Sequence, residues 1–416
     1  MLKDIVLLQS AVLVKSIIKS PLLLALVSVP YALWEAYWIY RAGYPAIKWH
    51  THLMLYYYIW LIGYFLMFYF LRKRSRTGFM KIMIAYTATL VVLLGAEATL
   101  LILRVNQTGI ESTGQGYQSC FASSQETWYH VWPSDQTHWL KKPEYSYIRH
   151  TNSMGYSDME WPLAKPNGQR RILSLGDSFT EGDGAPYDSS YVSQLRKLLN
   201  KESDNCYVMN AGICGSDPFI SFVNYRDRLQ KYQPDLILQT ISSGDMNVDI
   251  LIRGGLERFK PDGSVQFRKG PWWEPVYAVS SISRLAFSAM RYDQVLMKEG
   301  EVSQRKRYLD SITIDLFNQY AALAKRNHAR LIVVLQPFHD ELNNMRYNYD
   351  FTSIEMALKQ NHNIEIRDLM PFFAEYIKAQ NKEPGYYYWP HDGHHNPPGY
   401  LMMAEGMKEF VSDRVH

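Results

Sequence analysis

The chain changes character along its length with the period of its apolar residues. Three long apolar stretches come first, at residues 21–40, 53–71 and 80–103. The second carries no charge and the third only Lys81 and Glu97. Each is close to the ~20 residues that cross a bilayer as a helix. Their apolar side chains run round the whole circumference rather than along one stripe, so three spans are expected. Residues 1–20 mix apolar side chains with Lys3, Lys15 and Lys19. They read either as a helix lying on the membrane surface or as a plain lead-in to the first span.

From residue 105 to 169 the chain is polar and aromatic, with little periodicity. Then the pattern shortens. Apolar runs at 172–175, 206–210, 235–241, 329–336 and 364–367 are the length of buried strands, and Gly, Asn or Asp punctuates the first three. Helical spacing separates them, at 189–199, 219–232 and 310–327, and closes the chain at 400–411. Strand and helix in alternation predict a parallel sheet with helices on both faces. Residues 250–308 break the alternation and are expected as an insert. Its Trp272 and Trp273 read either as an exposed platform for sugars or lipid headgroups or as packing against the sheet.

Charge separates the same two parts. Residues 1–110 hold 11 Lys and Arg against 3 acids, whereas the rest holds 33 against 37. The overall basicity belongs to the apolar part, which excludes a nucleic-acid reading. Arg72, Lys73, Arg74, Arg76 and Lys81 follow the second stretch. By the positive-inside rule this loop and the amino end are cytoplasmic, and everything after Arg104 is extracytoplasmic. Glu35 falls near the outer end of the first span, where its carboxyl reaches interfacial water. Glu97, inside the third, either hydrogen-bonds a neighbouring helix or marks a seam with a partner membrane protein. Cys120, Cys206 and Cys214 are too few for a disulfide scaffold, and Cys206 and Cys214 are expected as free thiols.

The chemistry is carried by Gly176-Asp-Ser-Phe-Thr-Glu-Gly182. A turn between a buried strand and a helix lifts the Ser178 hydroxyl to the carboxyl edge of the sheet, where parallel sheets place their sites. A serine hydroxyl needs a base. The tail supplies one in Asp392-Gly-His394-His395-Asn-Pro-Pro-Gly399. The block at 176–182 resembles the first block of the SGNH (GDSL) hydrolase superfamily, and the tail resembles its last. The first is not the G-x-S-x-G elbow of α/β-hydrolases.

The resemblance covers residues 151–415 and implies a flavodoxin-like sheet sandwiched by helices, with a Ser-His-Asp mechanism. It implies Ser178 as nucleophile, His394 as base and Asp392 as the acid that orients it. A D-x-x-H count would give His395 instead. His391 has no assigned role. The implied oxyanion donors are the Ser178 N–H, the Gly215 N–H (Gly212 being the alternative) and the Asn247 amide. The third block reads Ser243-Gly-Asp-Met-Asn-Val-Asp249, with its Asn displaced by one position. In the usual loop geometry Gly244 or Asp245 would take the slot.

The expected organisation is a membrane domain at 1–104, an extracytoplasmic linker at 105–150, and an SGNH hydrolase-like domain at 151–416 containing the insert. The leading functional expectation is a tethered serine esterase acting on acyl, above all acetyl, esters of a surface glycan or glycolipid. One alternative is an O-acyltransferase of the same fold, fed by a membrane acyltransferase partner. Others are a non-catalytic glycan-binding subunit and a lipase or thioesterase. No cofactor and no metal are expected, since two adjacent histidines and one Asp make no convincing ligand set.

Overall fold

A computed structural model describes residues 33, 49–71, 76–103, 131–201, 205–250, 254–260, 265, 280–290 and 299–411. The chain forms two compact units. One comprises Met1–Gly116 with Lys269–Glu299, the other Tyr117–Arg268 with Gly300–His416. The stretch expected as a single insert is thereby divided between them.

In the first unit, helices α1 (Trp49–Leu71) and α2 (Arg76–Ile102) follow one another. Trp60 Nε1 donates to Thr87 Oγ1 at 3.0 Å across the pair. One helix among the described residues, Thr77–Ile102, is long and apolar enough to cross a membrane, and Met54–Phe70 is a shorter apolar helix. Apart from residue 33, the first expected span, with Glu35, lies outside the described residues. Glu97, on α2, is fully buried. Its carboxylate accepts from Ser280 Oγ at 3.1 Å, Ser281 N at 2.5 Å and Ile282 N at 3.1 Å. It therefore caps a later helix of this chain, Ser281–Ala289, whose first N–H groups have no acceptor within the helix itself.

The second unit opens with an antiparallel hairpin, β1 (Thr137–Lys141) and β2 (Ser146–His150), in which Trp139 faces Ile148. These strands fall within the stretch expected as linker. Residues 152–156 follow as a turn whose ends, Asn152 and Tyr156, are buried. Asn152 Oδ1 accepts from the Met154 and Tyr156 N–H groups, each at 3.0 Å.

Five strands then build the sheet: β3 (Arg170–Gly176), β4 (Cys206–Gly212), β5 (Leu236–Ile241), β6 (Arg330–Leu335) and β7 (Ile364–Asp368). All neighbours are parallel and their order is β4-β3-β5-β6-β7. The chain steps from β3 out to β4 and returns across β3 to β5. A crevice therefore opens beyond the carboxyl ends of β3 and β5.

Alternate side chains feed two cores. One face sets Leu173, Met209, Ile237 and Val333 against Phe219, Phe317 and Tyr320. The other sets Ile172, Val208, Leu238 and Val334 against Tyr191, Leu195, Phe373 and Met403. Each such side chain contributes about 1.5–3 kcal/mol on burial, and burial on both faces explains why these strands read as continuous apolar runs. The helix expected at 219–232 is α-helical only over Pro218–Asn224. It continues as a π turn at Tyr225–Leu229 and a 3₁₀ turn at Gln230–Tyr232. The helix expected at 310–327 spans Glu299–Arg326.

Candidate active site

Strand β3 runs straight into the turn that presents Ser178. The Asp177 carboxylate accepts from Phe179 N at 2.9 Å and caps one helical turn, Ser178–Glu181. Gly182 ends that turn at φ 95°, its N–H on Ser178 O at 3.0 Å. Thr180 Oγ1 meets Thr240 Oγ1 of β5 at 3.0 Å. Ser178 is thus fixed by its own short segment and by the neighbouring strands.

Ser178 Oγ lies 2.7 Å from His394 Nε2. His394 Nδ1 lies 2.5 Å from Asp392 Oδ1. The three side chains come from β3's end and from the loop before the last helix, 216 residues apart in sequence. They form one hydrogen-bonded line, with imidazole between hydroxyl and carboxylate.

His395 turns the other way. It is fully buried among the rings of Phe179, Phe373, Tyr388 and Tyr400, with Nδ1 3.2 Å from Tyr387 O. Burial pushes its pKa down to about 3, so it stays neutral and faces core. The D-x-x-H count therefore selects a packing residue.

The two other loops beyond the sheet's carboxyl edge come from β4 and β5. After β4, Ser216 N bonds Ile213 O at 2.9 Å, and Gly215 sits in this turn at φ 71°. The Cys214 N–H donates to the Glu181 carboxylate, which ties this loop to the nucleophile turn. Gly212, the alternative donor, instead packs against the Ser178–Glu181 turn. A Cβ there would lie 2.3 Å from Glu181 N. After β5, Ser242 N and Oγ donate to Asp245 Oδ2 at 2.7 and 2.9 Å. The Asp245 carboxylate is thereby folded back into its own loop. Asn247 lies in the π turn Asp245–Ile250, and its side chain falls outside what the structure describes. Trp272 and Trp273 also lie outside the described residues. Cys206 and Cys214 are not joined to each other by a disulfide.

Sequence reasoning missed a cluster that surrounds Asp392. Lys142 Nζ donates to Asp392 Oδ2 at 2.9 Å and to Asp183 Oδ2 at 3.1 Å. Tyr145 OH donates to Asp392 Oδ1 at 3.0 Å. Burial alone would raise the Asp392 carboxyl. Hydrogen bonds from His394 and Lys142, and their charges, outweigh it and hold the group well below the carboxylate range. Asp183 behaves alike: burial opposes ionisation, but His394, Lys142 and Arg149 hold it low. Behind them, buried Arg149 pairs with Glu181 at 2.7 Å. The period of two shows in burial and not in residue type, since Ser146–His150 buries Tyr147 and Arg149 and exposes Ile148. The Lys-Pro-Glu turn at 142–144 was the one local sign of a hairpin.

Comparison with known proteins gives similarities among solved structures alone. No protein-family profile matches the chain, and no curated protein matches it. Among solved structures, it is similar to a two-domain esterase active on acetylated mannans (14% identity, 59% of this chain, TM-score 0.37). That match spans about half, 49%, of the esterase's own length. It is similar to a catalytic mutant of Axe2, an acetylxylan esterase from Geobacillus stearothermophilus (17% identity, 60% of this chain and 96% of that one, TM-score 0.38). It is also similar to the psychrotrophic esterase EstA from Pseudoalteromonas sp. (12% identity, 59% and 98%, TM-score 0.36).

Proposed function

We propose that this chain is a membrane-tethered serine esterase of the SGNH type, acting outside the cytoplasm on acyl, most simply acetyl, esters of a surface glycan or glycolipid. The observation that carries the reading is the line from Ser178 Oγ through His394 to Asp392.

In this reading His394 Nε2 takes the Ser178 proton as Oγ attacks the ester carbonyl. Asp392 accepts from Nδ1–H and stabilises the imidazolium. The Ser178 and Gly215 N–H groups and the Asn247 amide receive the oxyanion. The carbonyl–alkoxy bond then breaks, and the alcohol leaves with the proton from Nε2. Water, deprotonated by the same nitrogen, releases the acid and restores Ser178. No other group has to change charge.

The tether rests on the apolar Thr77–Ile102 helix, which displays Ile84, Val91 and Val92 outward. The three-span topology rests on the apolar stretches and on the basic loop at 72–81. An outward site at a membrane favours polymeric or lipid-linked substrates over small cytosolic esters. Acetylated mannan and acetylxylan are named for two neighbours in fold; for this chain the glycan ester follows from the topology.

The test is fluorophosphonate labelling and p-nitrophenyl acetate hydrolysis by the full chain, compared with Ser178→Ala. Labelling at Ser178 and hydrolysis lost in the variant are expected. Unlabelled wild-type protein would favour a glycan-binding subunit. Acetyl transfer to an oligosaccharide exceeding release to water would replace the esterase with an O-acyltransferase.

A further inference from the structure

Asp392 is presented by a loop that does little to hold it. Trp389 N bonds His394 O at 2.8 Å and Gly393 N bonds Trp389 O at 2.9 Å, which closes the turn. Gly393 takes φ 83° in open space. Within that loop the Asp392 carboxylate meets only His394. Its remaining donors come from the turn of the β1–β2 hairpin, about 250 residues earlier.

That turn grips three parts of Asp392. The Glu144 carboxylate accepts from the His391 N–H at 3.0 Å and the Asp392 N–H at 2.7 Å, which fixes the backbone. Tyr145 OH fixes Oδ1 on the side of His394. Lys142 Nζ fixes Oδ2 and bridges to Asp183. Rotation of a carboxylate about its last torsion is broad and nearly two-fold. Two donors of different kinds, one on each oxygen, remove that freedom. The hairpin is itself anchored beside the nucleophile. Arg149 reaches Glu181, and Tyr147 OH donates to Asp183 Oδ1 at 2.8 Å.

We propose that the Lys142-Pro143-Glu144-Tyr145 turn is the positioning device for the triad acid. This rests on the reading of Asp392 given above. Lys142, Glu144 and Tyr145 act through Asp392 and do not touch the reacting ester. Lys142 also balances charge. Asp392 and Asp183 both act on His394, and Lys142 offsets one of them. Arg149 faces both Glu181 and Asp183, and Asp177 caps its own helical turn. Removing the Lys142 cation therefore leaves more negative charge beside the imidazolium that forms in the reaction.

The experiment compares Tyr145→Phe, Lys142→Met, Lys142→Arg and the double variant Lys142→Met/Tyr145→Phe in the full-length chain. In the double variant kcat and the rate of fluorophosphonate labelling should fall about 10–100-fold, the range seen when groups that orient metal-ligating side chains are lost. KM should stay near the wild-type value. Loss of the Lys142 cation should move the acid limb of kcat/KM to higher pH, and Lys142→Arg should restore most of kcat. Amide exchange over residues 389–395, which needs no turnover, should quicken in the double variant. A folded double variant with wild-type kcat and wild-type exchange overturns the proposal. So does a loss of kcat with an unmoved acid limb and no recovery in Lys142→Arg. Should the double variant not fold, Tyr145→Phe, which removes one hydroxyl, decides by the same exchange and kcat readouts. Quickened exchange in a protein whose wild type is never labelled would instead remove the esterase reading and leave the tether standing.

Discussion

On the Ser178 side, every backbone constraint is close at hand. Asp177 caps its turn, Gly182 ends it, and Thr180 locks onto Thr240 of the strand alongside. On the acid side, Asp392 stands on a loop tip closed by two backbone bonds and tethered by a hairpin from the other end of the domain. The two ends of one hydrogen-bonded line are thus held by different means. Local backbone geometry tolerates almost no change of shape. Long-range tethers tolerate changes of shape but not of charge or donor.

The largest test of that contrast is Asp392→Asn. The amide oxygen would turn toward Lys142, an obligate donor on the Oδ2 side. That leaves the NH2 facing His394 Nδ1 and imposes the wrong tautomer. Hydrolysis of p-nitrophenyl acetate should fall about 10⁴-fold, as in other triads whose acid becomes an amide, with an unchanged melting temperature. A drop of less than about tenfold would mean that Asp392 does not orient the base.

Two glycine substitutions sharpen the contrast at smaller scale. A Cβ at Gly212 would fall 2.3 Å from Glu181 N and 2.5 Å from Thr180 C, both backbone atoms of the nucleophile turn. Gly212→Ala should cost about 1–3 kcal/mol, as overpacking does, and lower the labelling rate with it. Gly393→Ala meets nothing within 4 Å and bears only the cost of φ 83°. Its cost should be about 1 kcal/mol, with labelling retained. Denaturation and labelling of both variants check this, and the reverse order would break the comparison.

The smallest effect concerns the second histidine. His395 stays neutral in the fold down to about pH 3, whereas in the unfolded chain it takes a proton near 6.5. The unfolded state therefore binds more protons between those limits, and stability falls as pH is lowered through them. The depressed carboxyls of Asp392 and Asp183 add their own loss only below the ordinary carboxylate pKa of about 4. Between pH 7 and 4.5 the melting temperature should fall, and in His395→Phe it should fall less. Equal slopes would show that His395 is not the group being titrated.

Much of this was legible in the sequence. The inner parallel strands announced themselves because both their faces are buried, so their runs are mostly apolar, whereas the edge strand β7 alternates Ile with Glu and Arg. Ser178 and Asp392 were marked by short blocks whose neighbours serve them directly. The choice between His394 and His395 was not, because adjacent residues on a loop differ only in direction. One faces Ser178 while its neighbour sinks among Phe373, Tyr388 and Tyr400. The third block was opaque for a like reason. Only the folded loop shows the Asp245 carboxylate turned back onto Ser242.

What the sequence determined by itself is whatever depends on local period and near neighbours: the apolar helices, the order of strand and helix, and the capped turn that bears a serine. What only the tertiary structure decided is the company of Asp392. Lys142, Glu144 and Tyr145 meet it across some 250 residues, and no local pattern encodes a contact whose two halves are joined only when the sheet between them has formed. Side-chain chemistry is written residue by residue; proximity is a property of the closed chain.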